Sequence, residues 1–139
     1  MKVNREAVYE KYKDEQGNNH CAYCGKVLKS IKDMQVDHII SKSQYRFIPR
    51  QDKFPINDLS NLNPSCRRCN HYKRSESLES FRTFLLGKLH ERLEKLYTVK
   101  VGIDYGIVVL REWDKEFYFE KINKVDEMMQ EKNLKVEYY

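Results

Sequence analysis

The sequence contains no run of about 20 apolar residues, the length that a helix needs to cross a membrane. Residues 1–6 also lack the apolar stretch of a signal peptide. We therefore expect a protein that is neither membrane-spanning nor secreted. Internal repeats and low-complexity segments are absent as well.

Segments apolar enough to be buried are few. The chain has 139 residues, of which 34% are charged and 40% are hydrophobic. This length allows one domain, or one domain with a small appendage, around a modest core. A structural metal ion would be a sensible means of stabilising such a core.

Cysteine is sparse, but its spacing is informative. The four cysteines form two Cys-x-x-Cys pairs, Cys21/Cys24 and Cys66/Cys69. Two such pairs can present four thiolates tetrahedrally to one Zn²⁺ ion, which would hold the segment between them as a closed loop. Disulfide bonds within the pairs are the alternative and would be typical of a redox protein. Without an export signal we favour zinc in a reducing cytoplasm.

Positive charge is concentrated in the first part of the chain. The formal net charge of +5 divides into +8 for residues 1–111 and −3 for residues 112–139. Two basic clusters are evident. The first follows His38 and consists of Lys42, Arg46, Arg50 and Lys53, and the second surrounds the second cysteine pair and consists of Arg67, Arg68, Lys73 and Arg74. Such residues can neutralise phosphates of any base sequence, although either cluster alone could also be a solvated surface.

Local patterns up to the second cysteine pair indicate a helix, a strand and a loop. Asn4 is a plausible N-cap for a short helix, and the helical pattern ends at Gly17. Residues 34–40 form a β-prone run. Residues 41–63 are rich in Ser, Asn, Asp and Pro and predict a long loop, which at this length is usually functional or disordered.

Two helices are predicted after this loop. Cys66 and Cys69 stand at i and i+3, on one face of a starting helix. Ser77 is a candidate N-cap for a second, amphipathic helix. Its apolar stripe consists of Leu78, Phe81, Leu85, Leu89, Leu93 and Leu96. We interpret this stripe as part of the core rather than as a partner-binding surface.

The last part of the chain predicts a small appendage. Residues 107–110 and 117–119 are β-prone and flank a polar turn, which indicates a hairpin. Residues 124–133 predict a short helix. We therefore divide the chain into a domain of residues 1–97 and an appendage of residues 98–139.

Four motifs in order resemble the zinc-containing HNH nuclease family. They are Cys21-x-x-Cys24-Gly25, Val36-Asp37-His38-Ile39, Asn61-Leu62 and Cys66-x-x-Cys69-Asn70-x-x-Lys73. The resemblance covers residues 21–73, and a weaker one to small bacteriophage HNH proteins includes residues 78–82 and 117–120. It implies an α+β protein with a zinc-stabilised ββα-metal core. The predicted N-terminal helix, amphipathic helix and hairpin would flank that core.

The resemblance also implies roles for four residues. Asp37 and Asn70 would bind a catalytic Mg²⁺ or Mn²⁺ ion, His38 would be the general base, and Asn61 would order the loop, so that His38, Asn61 and Asn70 form a site of the His-Asn-Asn type. The residue types suit this chemistry, because histidine titrates near neutrality and a hard cation prefers oxygen ligands. Asp37 and His38 would point to opposite faces of a regular strand, so we expect them at a strand end or a distortion.

The substrate implied by the resemblance is DNA, and the residues leave RNA open. Candidate phosphate contacts are Lys42, Arg46, Arg67, Arg68, Lys73 and Arg74. We expect no membrane partner and a location in the cytoplasm of a bacterial or phage-infected cell, whereas the sequence leaves the oligomeric state open. A nonenzymatic, zinc-dependent nucleic-acid-binding module is the alternative function. His20, His71 and His90 have no evident partners and are expected on the surface.

Overall fold

The computed structural model describes the backbone of residues 2–131 and the side chains of residues 2–125. The first helix, α1, spans Arg5–Tyr9. Its N-cap is Asn4, whose side-chain oxygen accepts a hydrogen bond from the Ala7 backbone N–H at 3.1 Å, as predicted. Val8 on the inner face of α1 is fully buried in the core.

The first cysteine pair lies in a tight hairpin. Its strands, β1 (Asn19–His20) and β2 (Val27–Leu28), pair antiparallel. Gly25, between them, has φ +80°, and a Cβ atom built there would lie 2.9 Å from the Tyr118 ring. Both the backbone angle and the close approach therefore require glycine at this position.

The central unit consists of two strands and a helix. Strand β3 (Gln35–His38) pairs antiparallel with β4 (Leu62–Ser65), so that Asp37 lies opposite Asn63. Helix α3 (Arg67–Lys73) follows β4 directly, with Cys66 as its N-cap. The predicted strand within residues 34–40 is confirmed, and it ends at the proposed active-site pair.

The segment predicted as one long loop is partly ordered. Helix α2 (Lys42–Tyr45) begins with a capping box formed by Ser41 and Gln44. Short 3₁₀ turns occur within the segment at Arg50–Asp52 and Leu59–Asn61. A further 3₁₀ turn, Ile31–Asp33, precedes β3. Residues 62 and 63, predicted as loop, belong to β4 because they pair with the end of β3.

The predicted amphipathic helix is present but is not uniform. It comprises α4 (Leu78–Thr83), a π-helical turn (Phe84–Lys88) and α5 (Leu89–Glu94). Ser77 is its N-cap, as predicted, and accepts a hydrogen bond from the Ser80 N–H at 3.0 Å. Gly87 lies within the π turn, where its low helix propensity makes departure from α geometry less costly.

The predicted C-terminal hairpin is wrong. Helix α6 (Tyr97–Asp104) ends before Gly106, and residues 107–110 form no strand. The N–H groups of Ile107 and Val108 both donate to Gly102 O, at 2.8 and 2.9 Å, so this segment turns back onto α6. Residues 118 and 119 likewise begin helix α7 (Tyr118–Glu131), which includes most of the predicted helix at 124–133. Residues 132 and 133 lie outside the described residues.

Aromatic side chains join the start of α7 to the core. The N–H groups of Tyr118 and Phe119 donate to Tyr23 O and Ala22 O, at 3.1 and 2.8 Å. Phe117 is 1% exposed, and its ring stacks on Phe81 with 5.3 Å between the centroids. The division at residue 97 stays a prediction, but part of the proposed appendage lies in the same core as the first domain. Along residues 2–131, no helix has the length and apolar character needed to cross a membrane.

We predict that Phe117→Ala lowers the free energy of unfolding by about 3–5 kcal/mol, because it removes a fully buried aromatic ring from the core. Chemical denaturation measures the loss. Phe47→Ala is the matched control, since Phe47 is 80% exposed and its loss should change stability by less than about 0.5 kcal/mol. Equal stabilities of the two variants would contradict the proposed attachment of residues 117–119 to the core.

Candidate metal centre and active site

The four cysteines form one cluster. Their sulfur atoms all lie within 4.8 Å of one another, and none takes part in a disulfide bond. The Cys24 and Cys66 sulfurs are 4.0 Å apart. Backbone N–H groups point at two of the sulfurs: Cys66 N–H donates to Cys21 Sγ at 3.3 Å, and Cys69 N–H donates to Cys66 Sγ at 3.4 Å. Such donors stabilise thiolates, the form of cysteine that binds metal.

Three of these thiols influence one another's ionisation. Hydrogen bonds from Cys24 and Cys69 lower the pKa of Cys21. Hydrogen bonding to the Cys21 sulfur raises the pKa of Cys24 to about 11 and also raises the pKa of Cys69. Ionisation of Cys21 is therefore favoured, while ionisation of Cys24 and Cys69 beside it is opposed. Four sulfur donors around one point suit Zn²⁺, whose charge would offset this repulsion.

The Asp37 carboxylate is buried at the end of β3. It is 4% exposed and accepts hydrogen bonds from the Tyr23 hydroxyl and from the Lys73 ammonium, whose Nζ lies 3.2 Å from Oδ1 and 3.1 Å from Oδ2. Burial raises the pKa of Asp37, whereas the Lys73 charge opposes that rise. Burial and the Asp37 charge raise the pKa of Tyr23, so its hydroxyl keeps the proton that it donates.

A chain of hydrogen bonds extends behind Asp37. Asn63, which is fully buried, donates through Nδ2 to the Tyr23 hydroxyl oxygen at 3.4 Å. The Tyr12 hydroxyl donates to Asn63 Oδ1 at 3.0 Å. Every bond in this chain has its donor directed toward Asp37. The arrangement therefore favours negative charge on the carboxylate, against the cost of its burial.

His38 is oriented by the loop that follows β3. Its Nε2 lies 2.7 Å from Asn57 Oδ1. Because an amide oxygen only accepts hydrogen bonds, Nε2 carries the proton and Nδ1 has the free lone pair. Nδ1 forms no hydrogen bond with any residue that the structure describes. The Asn57 contact thus fixes the ring orientation and leaves Nδ1 available to act as a base.

Asn61 holds the chain immediately after His38. Its Oδ1 accepts from the Ile40 N–H at 2.8 Å, and its Nδ2 donates to Ile40 O and Ile56 O at 3.1 and 2.9 Å. Its own carbonyl accepts from the Ile39 N–H at 2.9 Å. The side chain therefore closes the loop onto the end of β3, while a function of Asn61 in catalysis stays a prediction.

Helix α3 places Asn70 and Lys73 differently from His71. Asn70 is half-buried, and its side-chain amide makes no hydrogen bond to the described part of the chain. His71 is exposed and packs edge-on against Tyr72, with ring centroids 5.3 Å apart. The predicted phosphate contact by Lys73 does not fit the structure, because this side chain is fully buried and its ammonium binds Asp37. The other predicted phosphate contacts, Lys42, Arg46, Arg67, Arg68 and Arg74, are exposed.

Residues 21–76 match the family model for HNH endonucleases. The matched segment contains both cysteine pairs, β3, β4 and α3, so the sequence resemblance is confirmed over these residues. The mixed fold and the four-cysteine cluster fit an HNH zinc-binding fold. No curated protein and no solved structure matches the chain.

Three residues of the matched segment became evident as parts of the site only from the structure. Tyr23 lies between the cysteines of the first pair, and only the fold shows that its hydroxyl reaches Asp37. Asn63 could have been found by pairing the two strands, since it lies opposite Asp37. Asn57 lies in the irregular loop, where no periodicity indicated a contact with His38. His20, expected on the surface, is half-buried between Gly25 O and Asp14, with ring nitrogens 2.8 and 2.7 Å from them.

We predict that the purified protein contains about one tightly bound zinc ion per chain, since four thiolates leave no open coordination position. Cys66→Ser should lose the zinc and most of the helical structure, because the first turn of α3 is then no longer fixed to the β1–β2 hairpin. Elemental analysis and circular dichroism measure the two effects. A folded parent protein without zinc would contradict this interpretation.

Proposed function

We propose that this protein is a divalent-metal-dependent endonuclease that hydrolyses phosphodiester bonds in DNA. The HNH match supports nuclease activity in general. The observation that carries the finer proposal is the Asp37–His38 pair at the end of β3, where an oriented imidazole follows a buried carboxylate in the sequence. Hydrolysis of a phosphodiester requires both a base for water and neutralisation of charge on the phosphoryl oxygens.

His38 would be the general base. Its Nδ1 lone pair can take a proton from a water molecule, while Asn57 keeps the ring oriented through Nε2. Asn61 would be a positioning residue, because four of its hydrogen bonds fix residues 39, 40 and 56, which flank His38 and Asn57 in the sequence, and none involves the His38 ring.

Asp37 and Asn70 would hold the catalytic cation. Both offer oxygen atoms, which suit Mg²⁺ or Mn²⁺, and the half-buried Asn70 amide is not engaged elsewhere in the described chain. When bound, such an ion would neutralise the phosphoryl oxygens and stabilise the departing 3′ oxygen. Cleavage would then give 5′-phosphate and 3′-hydroxyl ends, as expected by analogy with the family.

Exposed cations support a nucleic-acid substrate. Arg67 and Arg68 lie in the first turn of α3 and Arg74 follows its last turn, and all three are exposed. Such contacts bind phosphates without reading base edges, so affinity should depend on salt more than on sequence. DNA is the proposed substrate, and RNA remains the alternative to test. A cytoplasmic location stays a prediction.

We predict that the parent protein nicks supercoiled plasmid with Mg²⁺ but not with chelator in excess over Mg²⁺. His38→Ala should lower the cleavage rate by about 10²–10⁴-fold, the usual contribution of a general base. Its zinc content and DNA affinity should stay near those of the parent. His71→Ala, which removes an exposed histidine from α3, is the matched control and should cleave at the parent rate. Binding without cleavage by the parent would instead support the nonenzymatic module.

We also predict that Asn70→Ala loses activity or requires a much higher Mg²⁺ concentration. The physical reason is the loss of an oxygen ligand, so the rate measured against Mg²⁺ concentration should shift to the right. Asn70→His should retain more activity with Mn²⁺ than with Mg²⁺, because Mn²⁺ accepts imidazole more readily. An inactive His71→Ala beside a fully active Asn70→Ala would contradict the assignment of the ligand.

A further inference from the structure

The environment of the Lys73 ammonium is unusual. The side chain has no exposed surface, and its nitrogen contacts three oxygen atoms of β3. They are Asp37 Oδ1 at 3.2 Å, Asp37 Oδ2 at 3.1 Å and the His38 carbonyl oxygen at 3.1 Å. An ammonium group has three N–H donors, so all of them can be satisfied by the two residues of the proposed active site.

We propose that Lys73 is an exchangeable counter-ion of Asp37, which a divalent cation must displace in order to bind. Lys73 holds the cation-free site in its active shape and thereby weakens the affinity of that site for the cation. This inference rests on the proposed function only in that Asp37 is the cation ligand. It assigns Lys73 a positioning function in place of the phosphate contact that the sequence suggested.

The two cations compete because they need the same atoms. A Mg²⁺ ion sits about 2.0–2.1 Å from its oxygen ligands and demands nearly ideal octahedral geometry. Both Asp37 oxygens already contact the ammonium, and one also accepts from Tyr23. A divalent ion bound to either oxygen would lie within a few ångströms of the Lys73 charge, and repulsion at that distance is strong in a buried site.

The counter-ion is needed when no divalent cation is present. A buried carboxylate without a partner is unfavourable, and removal of one member of a buried ion pair destabilises the fold strongly. Lys73 supplies that partner from the last turn of α3 and also donates to the His38 carbonyl. The same ammonium therefore stabilises the end of β3 and opposes the binding of a divalent cation there.

Lys11 provides a matched control at the other end of the polar network. Its ammonium is half-buried and contacts Leu59 O at 2.9 Å, Leu62 O at 2.7 Å and Asn63 Oδ1 at 3.4 Å. Lys11→Met and Lys73→Met remove the same charge and comparable contacts with backbone oxygen atoms. Only Lys73→Met removes the neighbour of Asp37. A purely structural function of Lys73 would make both variants less stable without changing cation affinity.

The test is a titration of three zinc-loaded proteins with Mn²⁺: the parent, Lys73→Met and Lys11→Met. Binding is measured by calorimetry and by electron paramagnetic resonance of the free Mn²⁺. We expect Lys73→Met to bind Mn²⁺ at least about tenfold more tightly than the parent and Lys11→Met to remain within about twofold. Without Mn²⁺, Lys73→Met should also melt at a lower temperature than the parent. Addition of Mn²⁺ should raise its melting temperature more than it raises that of the parent. Equal or weaker binding by Lys73→Met, or no binding by any of the proteins, would overturn the inference.

A second measurement uses the parent protein and covers the case in which Lys73→Met does not fold. In protein labelled with ¹⁵N-lysine, the buried Lys73 ammonium should give a slowly exchanging resonance with cross-peaks to the Asp37 side chain. Mg²⁺ should shift or remove this resonance in a saturable manner, while an unchanged resonance at saturating Mg²⁺ would overturn the exchange of counter-ions. Tighter Mn²⁺ binding by Lys73→Met without plasmid cleavage by the parent would support the counter-ion and reject the nuclease. Plasmid cleavage by the parent, with the same Mn²⁺ affinity in Lys73→Met as in the parent, would support the nuclease and reject the counter-ion.

Discussion

The proximity of four cysteine sulfurs is the constraint on which the rest of the structure depends. It joins a short hairpin to the first turn of α3, and each side of the junction then positions part of the site. On the hairpin side, Tyr23 reaches Asp37, while its carbonyl and that of Ala22 receive the N–H groups of residues 118 and 119. On the helix side, the direction of α3 brings Lys73 to the end of β3. A zinc ion bound to sulfur would thus organise the site that we propose for a cation bound to oxygen.

The end of β3 combines groups that are costly to bury. The buried Asp37 carboxylate is bound by a tyrosine and a lysine. His38 is held by Asn57, and Asn61 fixes the chain that follows it. Such polar networks are stabilising only when every member has a partner. The proposed catalytic function would explain why polar groups occupy this strand end instead of better packed apolar side chains.

The sequence predicted features that depend on short-range chemistry. Side-chain hydrogen bonding acts over a few positions, which made the N-caps Asn4 and Ser77 predictable. Residue preference is equally local, and it predicted the strand around residues 35–38. The C-terminal hairpin was predicted wrongly because the β preference of residues 107–110 was overridden by backbone hydrogen bonds to Gly102. The partners of Asp37 and His38 depend on long-range contacts, so Lys73 resembled a surface lysine until the fold was known.

The separation of two metal sites in one small domain is the central claim, and anomalous diffraction from crystals grown with Mn²⁺ tests it most directly. Data collected at the zinc absorption edge and at a wavelength that is sensitive only to manganese distinguish the two elements. We expect zinc among the sulfurs of the four cysteines and manganese at oxygen atoms of Asp37 and Asn70, with the Lys73 nitrogen moved away from the carboxylate. Manganese bound elsewhere, or an Asp37 that still contacts Lys73 in crystals saturated with Mn²⁺, would contradict it.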